Sequence, residues 1–316
     1  MSPPVTDHLH SHATSTLDIF DLDRGFRLQL QAMLRRAMSA MYDDIARNID
    51  VAAMRKRGLA SVVSFVDLAA AATPLAVGAA IDADGETRLC ELSGVGPGNP
   101  GARMGLEVRQ DFRSLPGTGD PRRYRETVTG AEPVSCGSVR MLLTLVRPFA
   151  PAAERLVSET PDELAHLAAH TLTPPHPAAE DLTRVSDDFA VCGLSGDGEG
   201  HGGIDGVWGL HHTDTNQYTF TGGYLSALED LAVRQTHAAG LAAAEHRVHR
   251  VQALLRKPFA AGEPYHARGT LHTRAGDTVL VAGIHTLDSD GAPFRHPAVL
   301  GRIEGTLPAS EPLQNA

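Results

Sequence analysis

At 316 residues the chain is long enough for one large domain or two of ordinary size, and its 42% hydrophobic and 21% charged residues exclude a disordered chain. A net charge of −10 argues against nucleic acid or an anionic membrane as the main partner. No apolar run reaches the roughly 18 residues of a membrane helix, and the start, MSPPVTDHLHSH, lacks the basic and apolar regions of a secretory signal. Cys90, Cys136 and Cys192 form no CxxC pair, which excludes a disulfide framework and a cysteine-rich zinc site and fits a cytoplasmic protein.

In chain order, residues 1–16 read as a flexible tail. Phe26, Leu30, Met33, Leu34, Ala37, Met38, Met41 and Ile45 recur at helical spacing, predicting one helix from Gly25 to about Arg57 with Gly58 as its stop. Strands are predicted over 60–68, 75–81, 87–92 and 106–112, with a turn at Asp82-Ala83-Asp84-Gly85. Val139–Val146 reads as a buried strand or short helix, Pro161–Thr171 as a short helix, and Pro174-Pro175-His176-Pro177 as an interdomain linker. The second half repeats this order, with a strand over 207–211, a helix over Gly223–Ala239 and four strands between His246 and Gly305. Thr73-Pro74-Leu75 resembles Glu263-Pro264-Tyr265, and Gly85-Glu86-Thr87 resembles Gly276-Asp277-Thr278; Asp23 and Asp214 precede these last motifs by the same spacing. An internal duplication accounts for the match. Each copy is a helix followed by antiparallel strands, and such a sheet must cover its apolar face with the helix. The expected fold is α+β, a double hotdog: a first unit over 17–173 with a degenerate site, a linker over 174–203, and a motif-bearing second unit over 204–310.

The densest polar run is His211-His212-Thr213-Asp214-Thr215-Asn216-Gln217-Tyr218-Thr219-Phe220-Thr221-Gly222-Gly223-Tyr224, just ahead of the second helix. Amides at a helix N-terminus can polarise a thioester carbonyl and hold an oxyanion. A carboxylate beside them can activate water, amide side chains can position it, and Gly222 and Gly223 admit a ligand close to the backbone. The competing reading makes Asp214, Asn216 and Thr221 caps and turn residues. Asp21 and Asp23 occupy the matching place in the first copy, where helix-dipole complementation is the alternative role. His211, His212 and Asp214 form an H-H-x-D that lacks a second ligand pair, so no metal is expected. Glu229 is either a buried acid or base or an arginine partner. Arg247, Arg250 and Arg256 are candidates for CoA phosphates or an acidic carrier surface, against a solvated strand edge. Cys136 reads as packing.

The run HTDTNQYTFTGGYLSALEDLAV resembles the signature of 4-hydroxybenzoyl-CoA thioesterase-like hotdog proteins over roughly residues 204–305. The resemblance places Asp214 on the catalytic Asp, Asn216 and Gln217 on the turn, Tyr224 on the helix aromatic and Glu229 on the helix acid. Tyr218, Thr219 and Phe220 stand where the family has His-Val-Asn. It implies Asp214, Asn216, Gln217, Glu229 and His212 as catalytic residues, and Gly222, Gly223, Tyr224, Tyr218, Asp23 and Arg250 as substrate contacts. It also implies a site between two units, so that a fused pair forms its own pseudo-dimer, as a monomer or homodimer. The expected activity is a thioesterase on acyl-CoA or acyl carrier protein in polyketide or fatty-acid-derived specialised metabolism, with no cofactor beyond the substrate's CoA or phosphopantetheine. A dehydratase, an acyltransferase/decarboxylase, an enoyl-thioester addition enzyme and a non-catalytic acyl-thioester-binding protein are the alternatives.

Overall fold

The computed structural model describes residues 5–92, 103–172, 182, 202–213, 218–274 and 276–307. They fall into two compact units, residues 1–180 and 181–316. The expected linker at 174–203 lies almost wholly outside the described residues.

In the first unit, β1 (Leu9–Thr16) leads through a 3-10 turn (Ile19–Asp21) to α1 (Leu30–Asn48) and α2 (Val51–Lys56). Strands β2 (Ala60–Ala70), β3 (Ala80–Leu92), β4 (Arg103–Ser114), β5 (Val134–Val146) and β6 (Ala169–Leu172) follow. The sheet runs β1-β3-β4-β5-β2, all antiparallel, with β6 parallel to β3. The apolar stripe read from the sequence is the face α1 buries: Met33, Leu34, Ala37, Met41 and Ile45. Helix and sheet meet closely at Gly137, where any Cβ would overlap the Met33 sulfur, and Gln110 donates to the Ala37 carbonyl at 3.2 Å.

Four expectations are corrected here. Residues 9–16 are not a tail, because β1 pairs along β3 from Leu9↔Thr87 to Thr16↔Ala80. The single long helix is broken at Ile49-Asp50, since the Asp50 carboxylate accepts the Ala53 N–H at 2.9 Å and starts a new helix. Asp82–Gly85 is not a turn but the middle of β3, held on both sides by β1 and β4; Gly85 fits there because a Cβ would strike the Arg109 carbonyl and Ser11. The segment 161–171 holds only a 3-10 turn (Asp162–Leu164), and its end pairs as β6 with the stretch of β3 that β1 leaves open. Gly58, at φ +71°, does end α2, as expected.

The second unit comprises β7 (Ile204–Val207), a 3-10 turn (Leu210–His212), α3 (Thr221–Ala238), β8 (Arg247–Leu255), β9 (Pro264–Arg274), β10 (Asp277–Thr286) and β11 (Val299–Thr306). The strand expected over 207–211 therefore ends at its first residue. The sheet order, β7-β9-β10-β11-β8, is that of the first unit strand for strand. Tyr224, Leu225, Leu228 and Leu231 of α3 are buried, and Gly301 of β11 lies under Leu228. Each unit is thus a hotdog, a long helix laid across an antiparallel sheet, and the chain carries two in tandem.

The duplication has a different register from the one the Gly-acid-Thr motifs indicate. Gly85 is inside β3, whereas Gly276, at φ +92°, makes the β9–β10 turn. The equivalent pieces are Thr73-Pro74-Leu75-Ala76-Val77-Gly78 and Lys257-Pro258-Phe259-Ala260-Ala261-Gly262. Gly78 (φ +88°) donates its N–H to Leu17 at 2.9 Å; Gly262 (φ +82°) donates its own to Trp208 at 2.8 Å. Only glycine takes that left-handed conformation without strain, so both copies keep it.

In the second unit His285 is buried and His246 and His272 are half-buried, and desolvation pushes each pKa below the usual imidazole value. His246 bonds Thr278 Oγ1 at 2.7 Å while its Nδ1 is buried without a partner among the described residues. Below about pH 6.5 the unfolded chain therefore binds protons that the fold refuses. These groups contribute their full stability above that pH and lose it as pH falls toward the folded pKa values. The urea midpoint should fall between pH 7.5 and 5.5, and His246→Gln should flatten part of that slope; an unchanged slope refutes the assignment.

Candidate functional site

Both units approach their helix through the same closed loop. In the first, Leu22 bridges Leu28 and the Gln29 N–H donates to the Asp21 carbonyl at 2.8 Å; in the second, Thr213 bridges Thr219 and the Phe220 N–H donates to the His212 carbonyl at 2.9 Å. Asp23 precedes Leu30, and Asp214 precedes Thr221, by the same seven positions, so the two acids are equivalent in the chain. The shared frame makes the differences informative.

In the first unit the loop is internally satisfied. Asp23 accepts the Gly25 N–H at 2.7 Å and the Arg27 N–H at 3.0 Å, and its second oxygen is paired with the Arg27 guanidinium. Asp21 is bound by Arg36, which also donates to the Thr16 carbonyl. The substrate contact expected at Asp23 is thus replaced by a turn-holding role. Around the helix start stand Leu17, Leu28 and Ala32, all buried and apolar.

The second unit has Trp208, Thr219 and Gly223 at those three places. A Cβ on Gly223 would meet Thr219 Cγ2 at 3.0 Å, His212 Cβ at 3.3 Å and Trp208 Cζ3 at 3.5 Å. Among the described residues, the Trp208 Nε1, His212 Nδ1 and Thr219 Oγ1 atoms are all buried without hydrogen-bond partners. Each such group costs about 1–3 kcal/mol when left unmet. A cluster of them calls for a reason, and a polar ligand is one. Phe220, at the N-cap of α3, makes no side-chain capping hydrogen bond of its own. Burial lowers the His212 pKa, and the adjacent His211, its ring 3.8 Å away, lowers it further, so the imidazole is neutral near pH 7.

Trp208 organises the wall behind this cluster. It stacks on Tyr265 at 4.3 Å and meets Tyr224 and His212 edge-on at 5.3 and 5.6 Å. Tyr224 is 1% exposed and its hydroxyl accepts the Phe259 N–H at 3.0 Å. The expected substrate contact at Tyr224 is therefore corrected to a core residue that ties α3 to the following turn. Burial also raises the Tyr265 pKa.

Asp214, Asn216 and Gln217 lie outside the described residues. Tyr218 is exposed and bridges Ala260, Gly222 and Gly223 are buried in the first turn of α3, and Glu229 is half-buried further along it. The Gly223 amide donates to the Phe220 carbonyl at 2.9 Å. Arg250 of β8 lies 4.0 Å from Glu304; its neighbours Val251 and Ala253 pair with Ile303 and Gly301, on the face toward α3, which puts Arg250 on the other face of the sheet. Among the described residues no group of three His, Cys, Asp or Glu side chains is arranged to hold a metal. Cys136 is buried, its thiol pushed up to about 11 by that burial, as a packing residue should be. The sequence reading missed Trp208; a lone tryptophan three residues ahead of the polar run was the available signal.

No protein-family model and no curated protein matches the chain. Solved structures match it over nearly its whole length. A Lactobacillus plantarum protein provisionally assigned as an oleoyl thioesterase has a TM-score of 0.62 at 12% identity, over 96% of this chain and 98% of its own. The 12:0-ACP thioesterase of Umbellularia californica has 0.60 at 13%, over 95% and 94%. An acyl-ACP thioesterase of Bacteroides thetaiotaomicron has 0.50 at 9%, over 95% and 98%. These likenesses bear on the fold, which is that of tandem hotdog units.

Proposed function

We propose that the chain is an acyl-thioester enzyme, a thioesterase acting on acyl-CoA or an acyl carrier protein, with its reacting centre where α3 of the second unit begins. The observation that carries this reading is the contrast between equivalent loops. Leu17, Leu28 and Ala32 seal the first, while Trp208, Thr219 and Gly223 leave unmet polar atoms in the second. The thioesterase descriptions of the three similar structures agree with it. In this reading the thioester carbonyl lies against the helix start and accepts the Thr221 amide. Asp214 takes a proton from water held by Asn216 and Gln217, and the hydroxide attacks the carbonyl carbon. The tetrahedral intermediate collapses with loss of the thiolate, which takes up the proton, giving a carboxylic acid and a free thiol. Neutral His212 supplies a hydrogen-bonding atom beside that proton path.

The test is incubation of the protein with short, branched, aromatic and enoyl thioesters of CoA and of a carrier protein, every product being followed by mass spectrometry. Free acid is the expected product. A mass change with the thioester intact moves the assignment to dehydration, addition or decarboxylation, and binding without change favours a non-catalytic acyl-thioester-binding protein.

A further inference from the structure

The corrected register of the duplication exposes a difference between the copies beside the second loop. The turn that reads Ala72-Thr73-Pro74-Leu75 in the first unit reads Arg256-Lys257-Pro258-Phe259 in the second. This turn is built against the candidate site. The Phe259 carbonyl accepts the Thr219 N–H at 2.7 Å, Ala260 bridges Tyr218, and Lys257 is within about 7 Å of Phe259 along the chain. The amides of Arg256 and Lys257 both donate to the Ala298 carbonyl, at 2.8 and 3.2 Å, which fixes the backbone that carries the two cations. Neither side chain forms an ion pair among the described residues. Elsewhere in this acidic chain arginines often do, as with Arg36 and Asp21, Arg140 and Glu107, or Arg302 and Glu304. Arg256 is exposed, yet desolvation by its surroundings lowers its pKa, and no carboxylate among the described residues opposes the shift.

We infer that Arg256 and Lys257 bind the phosphodiester of the phosphopantetheine arm, the anion that acyl-CoA and acyl carrier proteins share. This rests on the thioester reading above. Two adjacent cations on a fixed turn suit a phosphate, the guanidinium by paired N–H donors and the ammonium as a point charge. The copy that lacks the unmet polar cluster also lacks both cations.

The experiment measures dissociation constants of three non-hydrolysable thioethers carrying one acyl chain: on CoA, on a phosphopantetheinylated carrier protein, and on phosphate-free pantetheine. The wild-type protein should prefer both phosphorylated forms by about tenfold, with the preference shrinking at high salt. The double variant Arg256→Gln/Lys257→Gln should lose that preference for both carriers while its urea midpoint stays at the wild-type value. A preference that survives in the double variant overturns the inference and leaves the thioester reading standing. Loss with CoA alone also overturns it, since the contact would then be to the nucleotide phosphates. A wild-type protein that binds none of the three thioethers and cleaves no thioester removes the thioester reading itself.

Discussion

Asp214→Asn should lower kcat for thioester hydrolysis by roughly 10²–10⁴-fold, the usual worth of a positioned general base, and leave the affinity for a non-hydrolysable thioether nearly unchanged. The substitution separates the two roles open to this residue. Asparagine caps a helix about as well as aspartate, so a residue that only holds the loop would survive the change with turnover and stability intact. Asparagine cannot take a proton from water, so a catalytic residue would not. Asp23→Asn is the matching control. Its carboxylate accepts two backbone amides and pairs with Arg27 in a sealed loop, so the change should lower the unfolding midpoint without touching kcat. Steady-state kinetics and urea denaturation on the two variants decide the matter. Retained turnover in Asp214→Asn moves catalysis away from this acid.

The helices and their apolar stripes were legible because α1 and α3 alternate buried and exposed residues at a period that only a helix satisfies. The duplication was legible too, but not its register. Gly85-Glu86-Thr87 and Gly276-Asp277-Thr278 look alike as strings, yet one lies in mid-strand and the other in a turn, because pairing on both edges overrides a turn-like composition. The register that holds, Pro74-Leu75-Ala76-x-Gly78 with Pro258-Phe259-Ala260-x-Gly262, is fixed by glycines at positive φ, a backbone demand that composition does not display. The polar run ahead of α3 stood out in the sequence. What could not be read from it was which of its groups go unpaired. That depends on Trp208 and Thr219 meeting Gly223 in space, and on Tyr224 spending its hydroxyl on Phe259. The face on which Arg250 lies could not be read either: it follows from pairing with the next strand, and β8 had to be placed against β11 before that face was known.

Trp208→Ala should be the most damaging single change to the second unit, costing about 3–5 kcal/mol, the range for deleting a buried aromatic side chain. Trp208 is 2% exposed and touches four rings at once: Tyr265, Tyr224, Phe259 and His212. Those rings come from the approach loop, α3, the basic turn and β9, so the indole is where all four elements of the candidate site are held together. Its backbone joins them as well, donating to Glu263 at 3.1 Å and accepting from Gly262 at 2.8 Å. Urea denaturation followed by far-ultraviolet circular dichroism measures the loss. Leu17→Ala in the first unit, at the equivalent buried place, should cost less, about 2–5 kcal/mol at a leucine and with no aromatic cluster to collapse. Trp208→Phe discriminates further. It keeps most of the ring packing and removes the unpartnered Nε1, so it should recover most of the stability. If that N–H meets a polar group of the substrate, Trp208→Phe should still weaken thioether binding; if it binds as the wild type does, the indole is a scaffold and the polar contacts belong to Thr219 and His212 alone.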